Sequence, residues 1–387
     1  MQRYDLAIIG LGGIGSATAW FAARGGRSVV GLERFDLGGH HHGASHDHSR
    51  IIRHSYHTAH YVDLTRLAYD AWRDVEAGSG ETCVHLTGGI DLFPHAAAIN
   101  SATYRDAMHA CNVEFDDLTP AQVMTRWPAW NVAPDTEVLY QANTGIVSPA
   151  ATVPLLQRLA AGCGAELRGN TAVMAIEPDD GLTIHLAGGD TVRAAQVVVS
   201  ADAWTAQLIE PLGVALPLTV TREQVTYYGT DSAQLFEQGN FPVWIWMDDP
   251  SFYGFPTFGR PGVKIAQDCG GQPVDPDRRG YDADPEILAR TDSFVAESFG
   301  DLLGPATLTT TCLYTLPPDR DFVVDTLPDH PNVHVALGAG HGYKFVAWFG
   351  KTLATLAAGR DPGCDLTPFR LDRPALTDPS WEANWLV

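Results

Sequence analysis

The sequence predicts an α/β (α+β) protein with two domains, one containing a parallel sheet and the other a mixed, largely antiparallel sheet. An apolar run at residues 4–9 ends in a glycine-rich turn, and the fully apolar run at residues 196–199 is typical of a buried parallel strand. Short strand-like stretches recur within residues 216–308. A chain of 387 residues also exceeds the size at which one core usually suffices.

The glycine-rich turn has the Gly-x-Gly-x-x-Gly pattern of a Rossmann-like dinucleotide-binding domain. Gly10 makes the tight turn, Gly12 lets the backbone approach a pyrophosphate, and Gly15 allows close packing of helix and strand. The pyrophosphate is expected at the positive end of the following helix, beside Gly13 and Ile14. A purely structural turn is the alternative.

An acidic residue closes the next predicted strand. Glu33 lies 18 residues past Gly15 and is followed by Arg34. A carboxylate at this position accepts hydrogen bonds from an adenosine ribose and favours a free ribose over a phosphorylated one. Glu33 and Arg34 are therefore predicted to bind the cofactor, although the motif alone does not distinguish FAD from NAD.

The charge balance argues against several classes of partner. Lys and Arg number 25 against 46 Asp and Glu, which gives a net charge of -21. Such a field repels nucleic acids and anionic membranes. The sequence contains no uncharged apolar run of 18 residues, and its first strand begins without a basic, apolar signal segment, so we expect a cytoplasmic protein. An anionic substrate then requires a local cationic pocket.

The cysteines and histidines do not form a metal-binding pattern. The 6 cysteines are scattered without a Cys-x-x-Cys pair, which argues against a disulfide framework and a structural zinc site. The histidines of the loop at residues 36–50 are His40, His41, His42, His46 and His48. Because three adjacent histidines cannot all point at one ion, we predict no metal, with a metal site in this loop as the alternative.

Hydrophobic spacing and turn residues assign the elements in chain order. Helices are predicted over residues 13–25, 61–75, 119–128 and 149–159, and from the segment 340–344 to residue 358. Strands are predicted over residues 4–9, 27–33, 89–93, 171–176, 182–186, 191–199, 223–228, 243–247, 252–255, 263–266, 307–314 and 333–338. The nucleotide-binding domain then comprises residues 1–82, 145–215 and 309–387, and the substrate-binding domain residues 83–144 and 216–308.

Five segments occur in the order found in one flavoenzyme family. They are the first glycine motif, RIIRH at residues 50–54, VVVSADAW at 197–204, TCLYT at 311–315 and GAGHGYKF at 338–345. The chain thereby resembles the monomeric sarcosine oxidase and N-methyltryptophan oxidase family of the D-amino acid oxidase superfamily over essentially its whole length. The resemblance implies FAD as cofactor, a small amine and molecular oxygen as substrates, and a monomer.

The resemblance also assigns residues to the flavin. Cys312 falls where the family attaches FAD covalently through a thioether on the 8-methyl group, and a buried core cysteine is the alternative. A second helix, whose N-terminus could stabilise negative charge on the reduced flavin pyrimidine, begins in the segment containing Gly340, Gly342, Tyr343 and Lys344.

Further positions match residues that the family keeps around the flavin ring. Ser45, His46 and Arg50 match positions beside the cofactor, where a histidine can bond the flavin or tune the protonation of the amine. Lys264 matches a lysine placed over the flavin to promote reaction with oxygen, and a solvent-facing strand lysine is the alternative. Tyr253 matches an active-site tyrosine.

Four positions bear on the substrate. Arg53 and Lys344 match residues that hold a substrate carboxylate, although Arg53 could instead form a surface salt bridge. Asp268 stands where sarcosine oxidases carry a histidine, and it could attract an amine or simply be a turn residue. Trp244 stands where enzymes for small substrates have a methionine, and it could line the pocket or belong to the core.

The leading hypothesis is an FAD-dependent oxidase that converts a secondary amine, an N-alkyl amino acid, into an imine and hydrogen peroxide. Its expected catalytic residues are Lys264, His46, Arg50, Tyr253 and Asp268. One alternative is a flavin dehydrogenase or biosynthetic oxidase of a larger cyclic or aromatic amine. Another, of a different class, is a non-enzymatic dinucleotide- or metal-binding protein.

Overall fold

The strands of the computed structural model, which describes residues 3–386, form two large sheets and one small sheet. The strands are β1 (Arg3–Ile9), β2 (Val29–Leu32), β3 (Arg50–Ile52), β4 (Val84–Leu86), β5 (Gly89–Phe93), β6 (Asp116–Leu118), β7 (Glu137–Gln141), β8 (Gly145–Val147), β9 (Glu166–Arg168), β10 (Val173–Asp179), β11 (Gly181–Leu186), β12 (Thr191–Val199), β13 (Thr219–Tyr228), β14 (Val243–Trp246), β15 (Phe252–Gly254), β16 (Val263–Gln267), β17 (Gln272–Pro273), β18 (Ala306–Leu316), β19 (Val323–Leu327) and β20 (His330–Leu337). The helices are α1 (Gly13–Arg24), α2 (Ala59–Ser79), α3 (Ser101–Ala110), α4 (Pro120–Arg126), α5 (Pro149–Gly162), α6 (Thr205–Ile209), α7 (Pro285–Phe299), α8 (Val346–Ala357) and α9 (Pro374–Thr377).

The first large sheet has the order β10-β11-β12-β1-β2-β9. Strands β12, β1, β2 and β9 run parallel to one another, and β20 adds a further parallel strand beside the C-terminal half of β12. Val197, Val198 and Val199 are completely buried, which explains why this run carries no polar residue. Helix α1 packs against α5 and α8. The predicted Rossmann-like fold is confirmed.

The second large sheet has the order β17-β13-β16-β15-β14-β5-β7-β6, and β18 also pairs with β13. Its pairs are antiparallel except for β14 with β5. The prediction of a mixed, largely antiparallel second sheet is therefore confirmed. Strands β3, β8 and β4 form the small third sheet.

The strands of each large sheet come mostly from the segments that were predicted for one domain. The first sheet draws its strands from residues 1–82, 145–215 and 309–387, and most of the second from 83–144 and 216–308. Strand β18 crosses the proposed boundary at residue 309 and belongs to the second sheet. The division into domains itself stays a prediction. No helix within residues 3–386 combines the length and apolar character needed to span a membrane.

The two large sheets meet where the candidate site lies. Strands β1 and β20 contribute Ile9 and Leu337 at their carboxyl ends, and Ser200 directly follows β12. Tyr253 on β15 and Tyr314 on β18 reach the same cavity from the second sheet. Ligands of open parallel sheets bind at this carboxyl edge, so the fold itself locates the site.

Candidate active site

The glycine turn after β1 leaves no room for side chains. Gly10 has a φ of +89°, and a Cβ atom there would lie 2.6 Å from the Ser200 carbonyl oxygen. At Gly15 a Cβ atom would lie only 1.8 Å from the carbonyl oxygen of Gly10. The Gly13 N–H donates to the Ser45 hydroxyl at 3.0 Å, which brings the histidine-rich loop onto the start of α1. The turn is thus a backbone cradle at a helix N-terminus, suited to a pyrophosphate.

Glu33 lies beside this cradle as a buried carboxylate. It accepts hydrogen bonds from the N–H groups of Leu11 at 2.7 Å and Phe35 at 3.0 Å, and the His40 ring lies 3.3 Å away. Burial by itself would raise the pKa of this carboxyl, but the His40 contact and the backbone donors outweigh it and lower the pKa. Glu33 therefore stays ionised and able to accept bonds from a ribose.

One continuous cavity of about 570 Å³ runs from this cradle into the space between the two large sheets. Near the cradle it is lined by Glu33, Arg34 and Trp204, with the Arg34 guanidinium 5.3 Å from the Trp204 ring centroid. At its other end it is lined by Asp268 and Lys344. The volume lies in the range of small-molecule and cofactor sites, and the glycine cradle with Glu33 fits the ADP half of FAD.

The segment before α8 forms the wall of the cavity nearest the two tyrosines. Gly340 has a φ of +77°, and a Cβ atom there would lie 2.7 Å from the Tyr314 ring. A short 3-10 helix, Gly342–Phe345, follows and continues into α8. The Tyr343 hydroxyl is 2.8 Å from that of Thr152, and both Gly342 and Tyr343 line the cavity. This wall fits the reactive end of a flavin.

The chain has three lysines, of which Lys264 and Lys344 are buried, and Lys344 lines the cavity. Lys344 donates to the Tyr56 hydroxyl at 3.0 Å and to the His341 carbonyl at 2.9 Å. Burial, together with the nearby charges of Arg53 and Arg320, holds the pKa of Lys344 well below its usual range. An anion bound next to Lys344 would favour its charged form.

Arg53 is ion-paired with a buried residue rather than with the surface. Its Nη1 lies 3.0 Å from Asp91 Oδ1, and Ser55 donates to the other oxygen of the same carboxylate. The Arg53 guanidinium also lies 5.1 Å from the centroid of the Tyr56 ring. The surface interpretation of Arg53 is therefore wrong, since only 7% of the residue is exposed.

Arg320 is a buried cation of the site that no sequence motif indicated. It pairs with Asp268 at 2.8 Å, and both residues line the cavity. Burial alone would lower the pKa of Arg320, but the Asp268 carboxylate raises it above the usual value. Asp268 follows β16 directly, as expected for a turn residue, and its charge is already balanced by Arg320.

Trp244 does not contact the cavity, which corrects its expected role. Its indole is completely buried and packs on Phe294 and Trp130, with centroid distances of 5.5 Å and 5.0 Å. The next residue, Ile245, lines the cavity instead, opposite Tyr253 on the paired strand. Successive residues of a strand face opposite sides, so the core alternative for Trp244 is the correct one. The Trp244 argument for an aromatic substrate is thereby removed.

Lys264 on β16 is almost completely buried, so the solvent-facing alternative is wrong. Its Nζ lies 2.7 Å from Asp47 Oδ2 and donates to the carbonyl of Ser49 at 2.8 Å and to its hydroxyl at 3.2 Å. Burial lowers the pKa of Lys264 to about 8, with Asp47 opposing this shift. Arg50 is near, donates to the carbonyls of Ser49 and Ala44, and lines the cavity.

The histidine-rich loop lines a second cavity of about 600 Å³, and His46 faces this cavity rather than the first. Both ring nitrogens of His46 are buried without a hydrogen-bond partner. Burial, and then the charge of Arg50, lower the pKa of His46 to about 3, so its ring is neutral at neutral pH. Among residues 3–386, no group of three histidine, cysteine or acidic side chains is arranged to hold a metal ion.

Cys312 lies on β18 opposite Glu223 of β13, and only 4% of it is exposed. It does not line either cavity. Burial raises the pKa of its thiol to about 11, and the neighbouring Arg50 guanidinium acts in the opposite direction. Tyr314, two residues later on the same strand, does line the first cavity. All 6 cysteines are free thiols.

Comparison with known proteins places this geometry in context. The profile of the family described as DAO, FAD dependent oxidoreductase, matches residues 5–356. Monomeric sarcosine oxidase from Streptomyces avermitilis is 35% identical over 372 residues, which span 92% of this chain and 93% of that protein. N-methyl-L-tryptophan oxidase from Citrobacter koseri is 30% identical over 384 residues, spanning 96% and 99%. The open form of NikD, an unusual amino acid oxidase essential for nikkomycin biosynthesis, gives a TM-score of 0.85 at 26% identity over 96% of this chain and 98% of that chain.

Proposed function

Because the chain belongs to the family of FAD dependent oxidoreductases, we propose that it oxidises a secondary amine, an N-alkyl amino acid, to an imine while dioxygen becomes hydrogen peroxide. The observation that carries this proposal is the buried group of cations Arg53, Arg320 and Lys344 around one end of the cavity. In a chain of net charge -21, such a group selects a small anion. Sarcosine and N-methyl-L-tryptophan, named in two relatives, are both N-methyl amino acids.

Charge counting supports a carboxylate at this end. Three cations face two carboxylates, the buried Asp91 and the partly exposed Asp268, which leaves one positive charge in excess when Lys344 is protonated. One substrate carboxylate would balance that charge and restore Lys344 to its charged form. Hydrogen bonds from Arg and Lys to a carboxylate are the charge-assisted kind, and they would fix the orientation of the substrate.

FAD, when bound, supplies the acceptor for the two electrons removed from the carbon–nitrogen bond. The chain's own contribution is to hold the cofactor and to orient the substrate towards it. The glycine cradle would hold the pyrophosphate, Glu33 the ribose, and Arg50 with Tyr343 the ring end. Burial at this end of the cavity would disfavour the protonated, charged form of the amine, which keeps the nitrogen lone pair available.

The first expected result concerns which amines reduce the enzyme. Anaerobic mixing with sarcosine, N-methyl-L-tryptophan, proline or pipecolate should bleach the flavin absorbance for at least one of these acids. The matching amine without the carboxylate should react about 100-fold more slowly or worse, because the buried cations then lack their anion. Dimethylamine and N-methyltryptamine are the matched controls for the first two acids. Equal rates for an acid and its matched amine would contradict the proposal.

We further propose that FAD is attached covalently through Cys312. Its support is the position of the cysteine on β18, two residues before Tyr314 at the cavity and within the field of the Arg50 guanidinium. That cation would favour the thiolate that attack on the flavin requires, against the effect of burial. A monomeric state, for which the family resemblance is the support, and a cytoplasmic location are further proposals.

Acid precipitation tests the covalent link. Wild-type protein should retain its yellow colour in the acid pellet, whereas Cys312→Ser should release FAD into the supernatant. Cys83→Ser serves as the matched control, since Cys83 is also a buried free cysteine but has Glu76 and Glu81, rather than Arg50, as its charged neighbours. Release of FAD from the wild-type protein would show that Cys312 is only a core residue.

A further inference from the structure

Lys344 differs from the other two lysines of the chain in its partners. Lys264 and Lys351 each lie 2.7 Å from a carboxylate oxygen. Among residues 3–386, no carboxylate lies within ion-pair distance of Lys344, although only 7% of this residue is exposed. A buried ammonium group without an anion is costly, so this environment favours the neutral amine form of Lys344.

The hydrogen bonds around Lys344 also match a neutral amine. Its Nζ donates to the Tyr56 hydroxyl at 3.0 Å and to the His341 carbonyl at 2.9 Å. A neutral amine has two N–H groups and one lone pair, whereas an ammonium group has three N–H groups. The two acceptors that the chain supplies therefore use both N–H groups of the neutral form, and the lone pair stays free to accept a proton.

The His341 ring fixes the direction of the neighbouring hydrogen bonds. Its Nε2 lies 3.0 Å from the Arg320 carbonyl oxygen, which can only accept, so the ring carries its proton on Nε2. The other ring nitrogen, Nδ1, then accepts from the Tyr56 hydroxyl at 3.2 Å. Burial, as the largest cause, holds the pKa of His341 well below its usual range, so the ring stays neutral. Tyr56 thus donates to His341 and serves Lys344 as an acceptor.

Two guanidinium groups and one carboxylate face Lys344 from other parts of the fold. Burial lowers the pKa of Lys344 most, the charges of Arg53 and Arg320 lower it further, and the carboxylate of Asp268 raises it. Arg53 and Arg320 already have carboxylate partners of their own, at 3.0 Å and 2.8 Å. A positive charge on Lys344 therefore lacks an anion until one enters the cavity, which all four of these side chains line.

An N-alkyl amino acid arrives with a proton that it must lose before it is oxidised. At neutral pH such an acid is a zwitterion, because the pKa of an alkyl amine is about 10. Its ammonium nitrogen has no lone pair, and oxidation to an imine requires the neutral amine. The site therefore needs a group that accepts this proton.

We propose that Lys344 is this group, and that it takes the ammonium proton of the substrate as it binds the substrate carboxylate. One N–H bond of the substrate ammonium breaks, one N–H bond forms on Nζ, and no electron is transferred. A zwitterion and a neutral lysine become an amino acid anion and a charged lysine, so the total charge of the site does not change. This inference rests on the proposed function, because it takes an N-alkyl amino acid as the substrate.

The test counts protons when a carboxylate binds. Methoxyacetate has the shape of sarcosine, but an ether oxygen replaces the nitrogen, so it brings no proton. Its binding to the oxidised holoenzyme changes the flavin spectrum, and a pH indicator in weak buffer at about pH 8 measures the protons taken from solvent. We expect an uptake of about one proton per molecule bound, because Lys344 becomes charged. The N-alkyl amino acid that bleaches the flavin fastest should give a net uptake near zero in the phase before bleaching, because it supplies the proton itself.

The variant Lys344→Arg separates the proton acceptor from the cation. Arginine keeps a positive charge and hydrogen-bond donors, but it stays protonated and cannot accept a proton. Methoxyacetate should then bind without proton uptake. Reduction by the N-alkyl amino acid should be at least about tenfold slower at about pH 8 and should recover as the pH rises, since solvent must take the proton.

A second variant and a control accompany this measurement. Lys344→Met should also bind methoxyacetate without proton uptake, and it removes no buried charge from the free enzyme. Lys351→Met is the matched control, because Lys351 is an exposed lysine that is already paired with Asp74. It should take up protons as wild type does.

Two results would overturn the inference. If methoxyacetate binds to wild type without proton uptake, Lys344 is already charged in the free enzyme. If the uptake persists in both Lys344 variants, another group accepts the proton. Failure of the proposed function is a different result: methoxyacetate does not bind, or no N-alkyl amino acid bleaches the flavin, and the inference then fails with it.

Discussion

Replacing Lys264 with methionine should slow the reaction of the reduced enzyme with dioxygen about 100- to 1,000-fold, the usual loss when one preorganised electrostatic group is removed. The effect is large because the substitution removes the cation and leaves the Asp47 carboxylate, whose charge disfavours an anion nearby. Reduction by the amine should be little affected, since Lys264 lines neither cavity. Stopped-flow measurement of the two half-reactions separates these outcomes.

Stability must be controlled in this experiment. Methionine would leave Asp47 buried without its main partner, which typically costs about 3–5 kcal/mol. The double variant Asp47→Asn/Lys264→Met removes both charges and should recover most of that loss. Lys351→Met is the matched lysine control, because Lys351 is exposed and pairs with Asp74 at the surface. If the reduced double variant reacts with dioxygen at a rate within threefold of wild type, Lys264 does not promote that reaction and the prediction is contradicted.

Changing Gly15 to alanine should abolish FAD binding and unfold much of the first sheet. The new Cβ atom would lie 1.8 Å from the Gly10 carbonyl oxygen and 2.8 Å from the Ser200 hydroxyl, and the first of these is a backbone atom that cannot move aside. We expect a loss of about 3 kcal/mol or more in the free energy of unfolding. Thermal melting measures the loss of stability, and the flavin content of the purified protein measures the loss of FAD binding.

Gly162→Ala is the matched control for Gly15→Ala. Gly162 is the exposed last residue of α5, and a Cβ atom there would have no heavy atom within 4 Å. Its melting temperature should equal that of wild type or exceed it slightly, because alanine favours the helix. If Gly15→Ala has the melting temperature of wild type and binds FAD, the turn must relax to accept the new Cβ atom, which would contradict this prediction.

The parts of the fold that follow from local sequence were predicted well. The glycine turn and the apolar run ending at Val199 have few alternative structures, and both lie where the sequence predicts. Helices α3 and α7 were missed, although α7 begins with the capping residue Asp284 and a proline at its first position. The apolar spacing of α7 is interrupted by Thr291 and Ser298, which are buried on the same face as Phe294. A polar residue on a buried helix face weakens the periodic signal.

The error at Trp244 has a different cause. Strand β14 is largely covered on both faces, so its sequence shows no alternation that would tell which residues face the cavity. Trp244 and Ile245 are therefore indistinguishable by pattern, and only the pairing of β14 with β5 and β15 separates them.

The ion pairs of the site could not be predicted because their partners lie far apart in the chain. Arg320 and Asp268 are 52 residues apart, and Arg53 and Asp91 are 38 apart. No local spacing links such residues. The available signal was a lone charge inside an apolar strand, as at Asp91 in β5, since a charge there needs a partner.

The distribution of the three lysines has a practical consequence for handling the protein. Lys264 and Lys344 are buried, so within residues 3–386 only Lys351 offers an exposed side-chain amine. Amine-reactive dyes, crosslinkers and activated resins should therefore attach through the side chain at that one position of α8. Molecules attached through the Lys351 side chain would share one orientation on an electrode, and labelling would leave the buried side-chain amines untouched.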